Sequence, residues 1–161
     1  MAIKIDLLRN QPRFIETCAR WNHESWGQAR GISAADILDA YRELADPENP
    51  EQAFVAFSGD TALGTTLLID CDHPGFSHYR PWLAALYVRP EYRRQGIARA
   101  LIDAVMDFSR RRGDQRLFLY SSSPEVYAAM GWQVASRFME ERTHYFLMNI
   151  ELQTNSDQPN S

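Results

Sequence analysis

The stretch from Pro81 to Leu101, Pro-Trp-Leu-Ala-Ala-Leu-Tyr-Val-Arg-Pro-Glu-Tyr-Arg-Arg-Gln-Gly-Ile-Ala-Arg-Ala-Leu, constrains the fold more than any other. Trp82 to Val88 is uncharged, of strand length and apolar on both faces, so it reads as a buried central strand. Arg89-Pro90 ends it, because proline cannot continue a ladder. A turn with Arg93, Arg94, Gln95 and Gly96 follows. A helix then opens, with Ile97, Ala98, Leu101, Ile102, Val105 and Phe108 at helical spacing. The first N–H groups of such a helix have no partner within it and point back into the turn, where the helix dipole adds partial positive charge. A glycine for close backbone approach and full charges from arginine make this a site for a compact anion, most naturally a phosphate or pyrophosphate. It is not a Walker phosphate loop, since no Gly-Lys-Ser/Thr follows. It is not a dinucleotide GxGxxG either, since a single glycine is present.

Arg93-Arg94-Gln95-Gly96-Ile97-Ala98 resembles the Arg/Gln-x-x-Gly-x-Gly/Ala motif of the GNAT superfamily of acyl-CoA-dependent N-acetyltransferases. Leu86 to Tyr92 is similar to that family's preceding strand and lead-in turn. Tyr127-Ala-Ala-Met-Gly131-Trp132 resembles its downstream Tyr-x-x-x-Gly-Phe segment. The two motifs occur in the family's order. The core resemblance runs from about Trp82 to Trp132, and the element order extends it over nearly the whole chain.

The rest of the chain supplies that order. Ile3 to Leu7 reads as a first strand. Arg13 to Trp26 has helical spacing at Phe14, Cys18 and Trp21. Ser33 is placed as an N-cap, ahead of an apolar stripe of Ile37, Leu38, Tyr41 and Leu44. Gln52 to Ser58 and Thr61 to Ile69 form a hairpin about Gly59-Asp60, and Gly64 inside the second arm suggests a bulge. Asp70 to Arg80 is a loop of mixed polarity. After the central strand and helix, Arg110-Arg-Arg-Gly113 is a strong helix stop. Arg116 to Tyr120 is a fifth strand, and Pro124 opens a short helix ended by Gly131. Gln133 to Phe138 and His144 to Ile150 are the last strands. The order βααβββαβαββ predicts an α/β (α+β) fold, with a mixed, largely antiparallel sheet of about seven strands flanked by helices, as in the GNAT family. Residues 1–152 are expected to form one domain, followed by a polar, disordered tail over 153–161.

The net charge is −4, yet eight arginines lie between residues 89 and 116, around the proposed anion turn. A nucleic-acid binder also concentrates arginine, but the acidic remainder repels a long polyanion, while a compact anion such as coenzyme A needs one basic patch. No nucleic-acid partner is expected. No stretch approaches the ~20 apolar residues of a membrane span, and no membrane association is expected. The start, Met-Ala-Ile-Lys-Ile-Asp, carries no signal-peptide pattern, so the expected location is the cytoplasm. Cys18 and Cys71 make no disulfide framework. His73 and His78 lack metal-site spacing, and no metal is expected.

The resemblance implies acetyl transfer from acetyl-CoA to a primary amine, by direct attack on the thioester. It places the backbone of Leu86, Tyr87 and Val88 against the thioester and pantetheine. It places the backbone of Arg94, Gln95, Gly96, Ile97, Ala98 and Arg99, with Arg93 nearby, against the pyrophosphate. Tyr127 takes the general-acid position, delivering a proton to the coenzyme A thiolate. Many relatives carry a glutamate on the fourth strand, but Trp82 to Val88 holds no acid. A base is therefore sought among Asp70, Asp72, His78 and Glu24, or is dispensable if the amine arrives neutral. Trp26, Asp72 and Trp82 are candidate substrate contacts, with a core role open for both tryptophans. The acceptor is a small-molecule or peptide amine, and the protein a monomer or homodimer. The rival within the resemblance is a non-catalytic acyl-CoA-binding sensor or structural module.

Overall fold

A computed structural model describes residues 1–153 of the 161-residue chain. Its elements are β1 (Lys4–Leu7), α1 (Ile15–Asn22), α2 (Ala34–Leu44), β2 (Gln52–Ser58), β3 (Thr61–Ile69), β4 (Trp82–Val88), α3 (Ile97–Arg112), β5 (Arg116–Ser121), α4 (Pro124–Ala128), β6 (Gln133–Glu140) and β7 (Thr143–Glu151). The order is the expected one. Hydrogen-bonded neighbours run β1-β2-β3-β4-β5-β7-β6 in a seven-stranded mixed sheet. β4 and β5 are parallel; β1-β2, β2-β3, β5-β7 and β6-β7 are antiparallel. The chain divides into two compact units: Met1–Ile69 with Ala84–Val105, and Asp70–Leu83 with the chain from Met106 onward.

The first unit is built on β2 and β3, which are buried along nearly their whole length. Ala53, Val55 and Phe57 face a core that takes Phe14 from the α1 entry, Cys18 and Trp21 from α1, and Ile37 and Tyr41 from α2. Ser33 caps α2, its hydroxyl accepting from Asp36 N at 3.1 Å. On the opposite face Gly64, paired with Ala56, lies against Leu101 of α3. Leu63 is the extra residue of the bulge there: Ala56 pairs with Gly64, while Phe57 pairs with Ala62. α1 does not end at Asn22. It continues into a π-helical turn, His23–Gly27, closed by Gln28 N donating to His23 O at 2.8 Å.

In the second unit Leu117 and Leu119 of β5 are buried, as are Trp132, Met148 and Leu152. The other face of the same strands is aromatic. Phe118 and Tyr120 share it with Phe138 and Tyr145, and the loop before β4 adds His73, Phe76 and Tyr79. His73 Nε2 pairs with Glu140, and Arg80 with Asp70. Gly113, in the left-handed region, ends α3, with Asp114 N returning to Ser109 O at 3.1 Å. Gln153, first residue of the expected tail, donates to Arg110 O and Asp114 O; residues 154–161 lie outside the described residues. Among the described residues no helix is long and apolar enough to cross a membrane.

Candidate functional site

β4 is a strand with one extra residue. Ala84 O accepts from Thr66 Oγ1 of β3 at 2.9 Å. Further along, Arg89 N donates to Leu63 O at 2.9 Å, and Tyr87 O lies against Gly64. Two residues thus separate the β3-facing Ala84 and Tyr87 where strict alternation allows one. Ala85 absorbs the difference in the left-handed region, at φ +50°. Beyond it, Tyr87 and Arg89 address β3, so the backbone of Leu86 and Val88 points to the opposite edge of the strand. Leu86 and Tyr87 are half-buried and Val88 is buried.

The turn after β4 engages two of its arginines and leaves others available. Arg89 pairs with Glu91 at 2.6 Å and lies over the Tyr92 ring. Glu91's carboxyl is held below its ordinary pKa by its own backbone N–H and by Arg89. Arg93 turns back, its Nε donating to Val88 O at 2.9 Å. Arg94 (φ +63°) and Gly96 (φ +82°) are both left-handed. Gly96 O accepts the first helical bond, from Ala100 N at 3.0 Å. The N–H groups of Ile97, Ala98 and Arg99 therefore have no carbonyl of their own helix to donate to. No acid stands in the first turn of α3, and Arg94 and Arg99 are exposed and form no ion pair among the described residues. A β-carbon at Gly96 would meet nothing within 4 Å. The open space, the left-handed backbone and the free donors fit an anion on the helix axis.

Tyr127 belongs to the second unit. Pro124 opens α4, as its fixed φ favours. Gly131 closes it at φ +95°, with Gly131 N donating to Ala128 O and Trp132 N to Tyr127 O, each at 3.1 Å. The Tyr-x-x-x-Gly-Trp spacing is thus a helix C-cap, which ties Trp132 to Tyr127. Their rings meet edge-on at 6.2 Å. The cap, and not the phenol, accounts for the glycine. Tyr127 is half-buried, and burial raises its phenol pKa, which keeps the proton on oxygen.

The remaining candidates are scattered. Trp26 stands half-buried on the π-helical turn of the first unit, beside exposed Glu24. Trp82, for which the sequence leaves both a pocket wall and a core position open, is fully buried in the second unit. Its indole N–H donates to Tyr79 O at 2.6 Å, and its ring packs on Phe118. The strand's first residue is held as core, so we assign it no substrate contact. Asp72 is half-buried in the loop before β4, and His78 is exposed there. Asp70 is paired with Arg80. The left-handed Ala85 and the Arg93–Val88 bond are the features that sequence reasoning missed. Alanine gives no sign of a positive φ, but an arginine at the first motif position did mark where to look. Among the described residues no group of three His, Cys, Asp or Glu is placed to hold a metal.

Residues 15–132 match the model of the acetyltransferase (GNAT) family. The chain belongs to this family. As a GNAT acetyltransferase it is similar to human N-acetyltransferase 8, at 33% identity over 85 residues, covering 50% of this chain and 37% of that protein. It is similar to N-alpha-acetyltransferase 30 of Schizosaccharomyces pombe, at 37% over 70 residues, covering 44% of this chain and 46% of that one. The matched part spans less than half the length of these relatives. Among solved structures, an aminoglycoside 6'-N-acetyltransferase complexed with coenzyme A superposes with a TM-score of 0.74, at 15% identity over 98% of this chain and all of that one. Ard1 from Thermoplasma volcanium superposes with a TM-score of 0.69, at 19% identity over 96% of this chain and all of that one. These likenesses show the GNAT fold.

Proposed function

We propose that this GNAT chain is an N-acetyltransferase that takes acetyl-CoA as cosubstrate and acetylates a primary amine. The observation that carries the reading is the end of β4 and the start of α3: N–H groups at Ile97, Ala98 and Arg99 with no carbonyl of their own helix to donate to, left-handed Arg94 and Gly96, open space at Gly96, and exposed Arg94 and Arg99 that form no ion pair among the described residues. A solved fold neighbour described as complexed with coenzyme A supports the choice of anion.

In this reading the backbone from Arg94 to Arg99 holds the pyrophosphate, with Arg93 beside it. Leu86 and Val88 offer strand-edge groups to the amide-bearing arm, Tyr87 lying between them, and a backbone N–H there stabilises the developing oxyanion. Acetyl-CoA supplies the activated thioester acyl group. Tyr127, kept neutral by burial, donates the proton that the departing thiolate needs. What supports that role is its place in the Tyr-x-x-x-Gly segment and its protonation. Trp26 and Asp72 are proposed to contact the acceptor. The names of the relatives and fold neighbours include an N-alpha-acetyltransferase and an aminoglycoside acetyltransferase, which supports an amine acceptor, small or peptidic.

A non-catalytic acyl-CoA-binding module is the second reading, favoured by the lack of any acid in Trp82–Val88. Incubation with acetyl-CoA and a panel of polyamines, amino-acid amides and N-terminal peptides separates the two. Thiol release matched by an acetylated product supports the enzyme. Coenzyme binding with no product from any amine supports the module.

A further inference from the structure

Arg93 is built into the end of β4. Its Nε donates to Val88 O at 2.9 Å, and its guanidinium lies over the Tyr87 ring, 5.9 Å from the centroid. That ring also meets Trp21 of α1, at 5.1 Å, and packs against the core of the first unit. The carbonyl that Arg93 takes is on the strand edge facing away from β3, because Tyr87 and Arg89 are the residues that address β3. An extended ligand laid along that edge would otherwise find an acceptor at Val88. With Arg93 in place, the row offered to it is the Leu86 backbone and the Val88 N–H, and it stops there.

We propose that Arg93 is a positioning residue: its Nε closes the open edge of β4 at Val88 and so sets the register of the amide-bearing arm, while Arg94 and Arg99 meet the phosphate charge. The inference rests on the acetyl-CoA reading above. What position 93 must supply is an N–H at a fixed reach, not a charge. Arginine Nε and glutamine Nε2 are both bonded to the δ-carbon and lie equally far from the backbone. They are the two residues of the motif's first position, and the ε-nitrogen donor is what they share. Lysine keeps the charge, but its nitrogen is one bond farther out and has no planar face to rest on Tyr87.

The experiment is calorimetric titration of coenzyme A into wild type, Arg93→Met, Arg93→Gln, Arg93→Lys and Arg94→Gln at two salt concentrations, with melting of each unliganded protein. The proposal expects Arg93→Met to weaken binding about tenfold, as for a lost hydrogen bond. Arg93→Gln should recover most of that loss and keep the wild-type salt dependence, whereas Arg94→Gln flattens it. Arg93→Lys retaining affinity while Arg93→Gln loses as much as Arg93→Met would overturn the proposal. So would an Arg93→Met protein that binds like wild type. If Arg93→Met fails to fold, the Gln and Lys proteins decide between donor and charge. Failure of wild type to bind coenzyme A would instead sink the acetyl-CoA reading itself, and is read first.

Discussion

Gly64 of β3 lies directly beside Tyr87 of β4: a β-carbon at position 64 would stand 2.7 Å from the Tyr87 carbonyl oxygen. Backbone, not a flexible side chain, fills that space, and Leu101 and Val88 side chains close in at 3.3 Å. The glycine is therefore required by close approach of the two strands. Gly64→Ala must displace β4 or β3, a form of overpacking that costs about 1–3 kcal/mol. Urea unfolding measures it. The shift also moves the Leu86–Val88 edge, so coenzyme A affinity should fall with stability; a neutral substitution would contradict the described approach.

Gly96 requires glycine for a different reason. Its φ of +82° is a left-handed conformation, yet nothing lies within 4 Å of where a side chain would begin. Gly96→Val meets no packed neighbour, but it strains the left-handed turn and places an isopropyl group where the anion is proposed to sit. The KM for acetyl-CoA should rise more than about tenfold, with the unliganded protein still folded. Retention of coenzyme affinity would mean the anion lies elsewhere.

Tyr127→Phe removes the proposed proton donor and keeps the ring that meets Trp132. Turnover should drop about a hundredfold, the lower range for a lost general acid, with coenzyme A affinity nearly unchanged. Because burial raises the phenol pKa above 10.0, the acid form persists beyond the pH at which free tyrosine ionises. Any alkaline limb of kcat due to Tyr127 should therefore lie above pH 10 and disappear in the phenylalanine protein. Equal turnover of the two proteins removes the assignment.

The two cysteines should differ in reactivity and in their effect on stability. Cys18 is fully buried, and burial pushes its thiol from 9.0 up to about 12, against a smaller opposing hydrogen bond from Thr65. Cys71 is half-buried in the loop before β4. Alkylation of the native protein should label Cys71 first and Cys18 only on unfolding. The raised pKa means the unfolded chain loses the Cys18 proton before the native one does. That stabilisation is full below pH 9 and is lost progressively between pH 9 and 12. Cys18→Ala should remove this component, so its stability deficit relative to wild type should shrink by up to about 1.4 kcal/mol per pH unit in that window. A deficit independent of pH would contradict it.

Much of the framework was legible because it is set by local rules. Gln52–Ser58 and Thr61–Ile69 stand where their strand-length runs about the Gly59-Asp60 turn place them, and Ser33 and Gly113 cap helices as their chemistry dictates. What stayed hidden is imposed from a distance. Ala85 adopts φ +50° because the registers on either side of it must be reconciled, and an alanine carries no sign of that. The π-helical turn at His23–Gly27 is polar at His23, Glu24 and Ser25, and Trp26 follows Trp21 by five residues, so no α-helical stripe marks the continuation of the helix. For the site, the motif located the anion turn, but the role of each arginine depends on which acceptor it finds: Glu91 for Arg89, Val88 O for Arg93, none among the described residues for Arg94. Trp82 looked equally suited to pocket and core, and only its neighbours Tyr79 and Phe118 decide for core.

The most direct test of the account is thermal unfolding with and without acetyl-CoA, with ATP and NAD as controls. A ligand that binds only the folded state stabilises it by RT ln(1 + [L]/Kd), about 2.7 kcal/mol at a hundredfold excess over Kd. The account predicts a rise in Tm with acetyl-CoA and coenzyme A well beyond that with ATP or NAD. No rise at millimolar acetyl-CoA, in folded protein free of copurified coenzyme A, would contradict it.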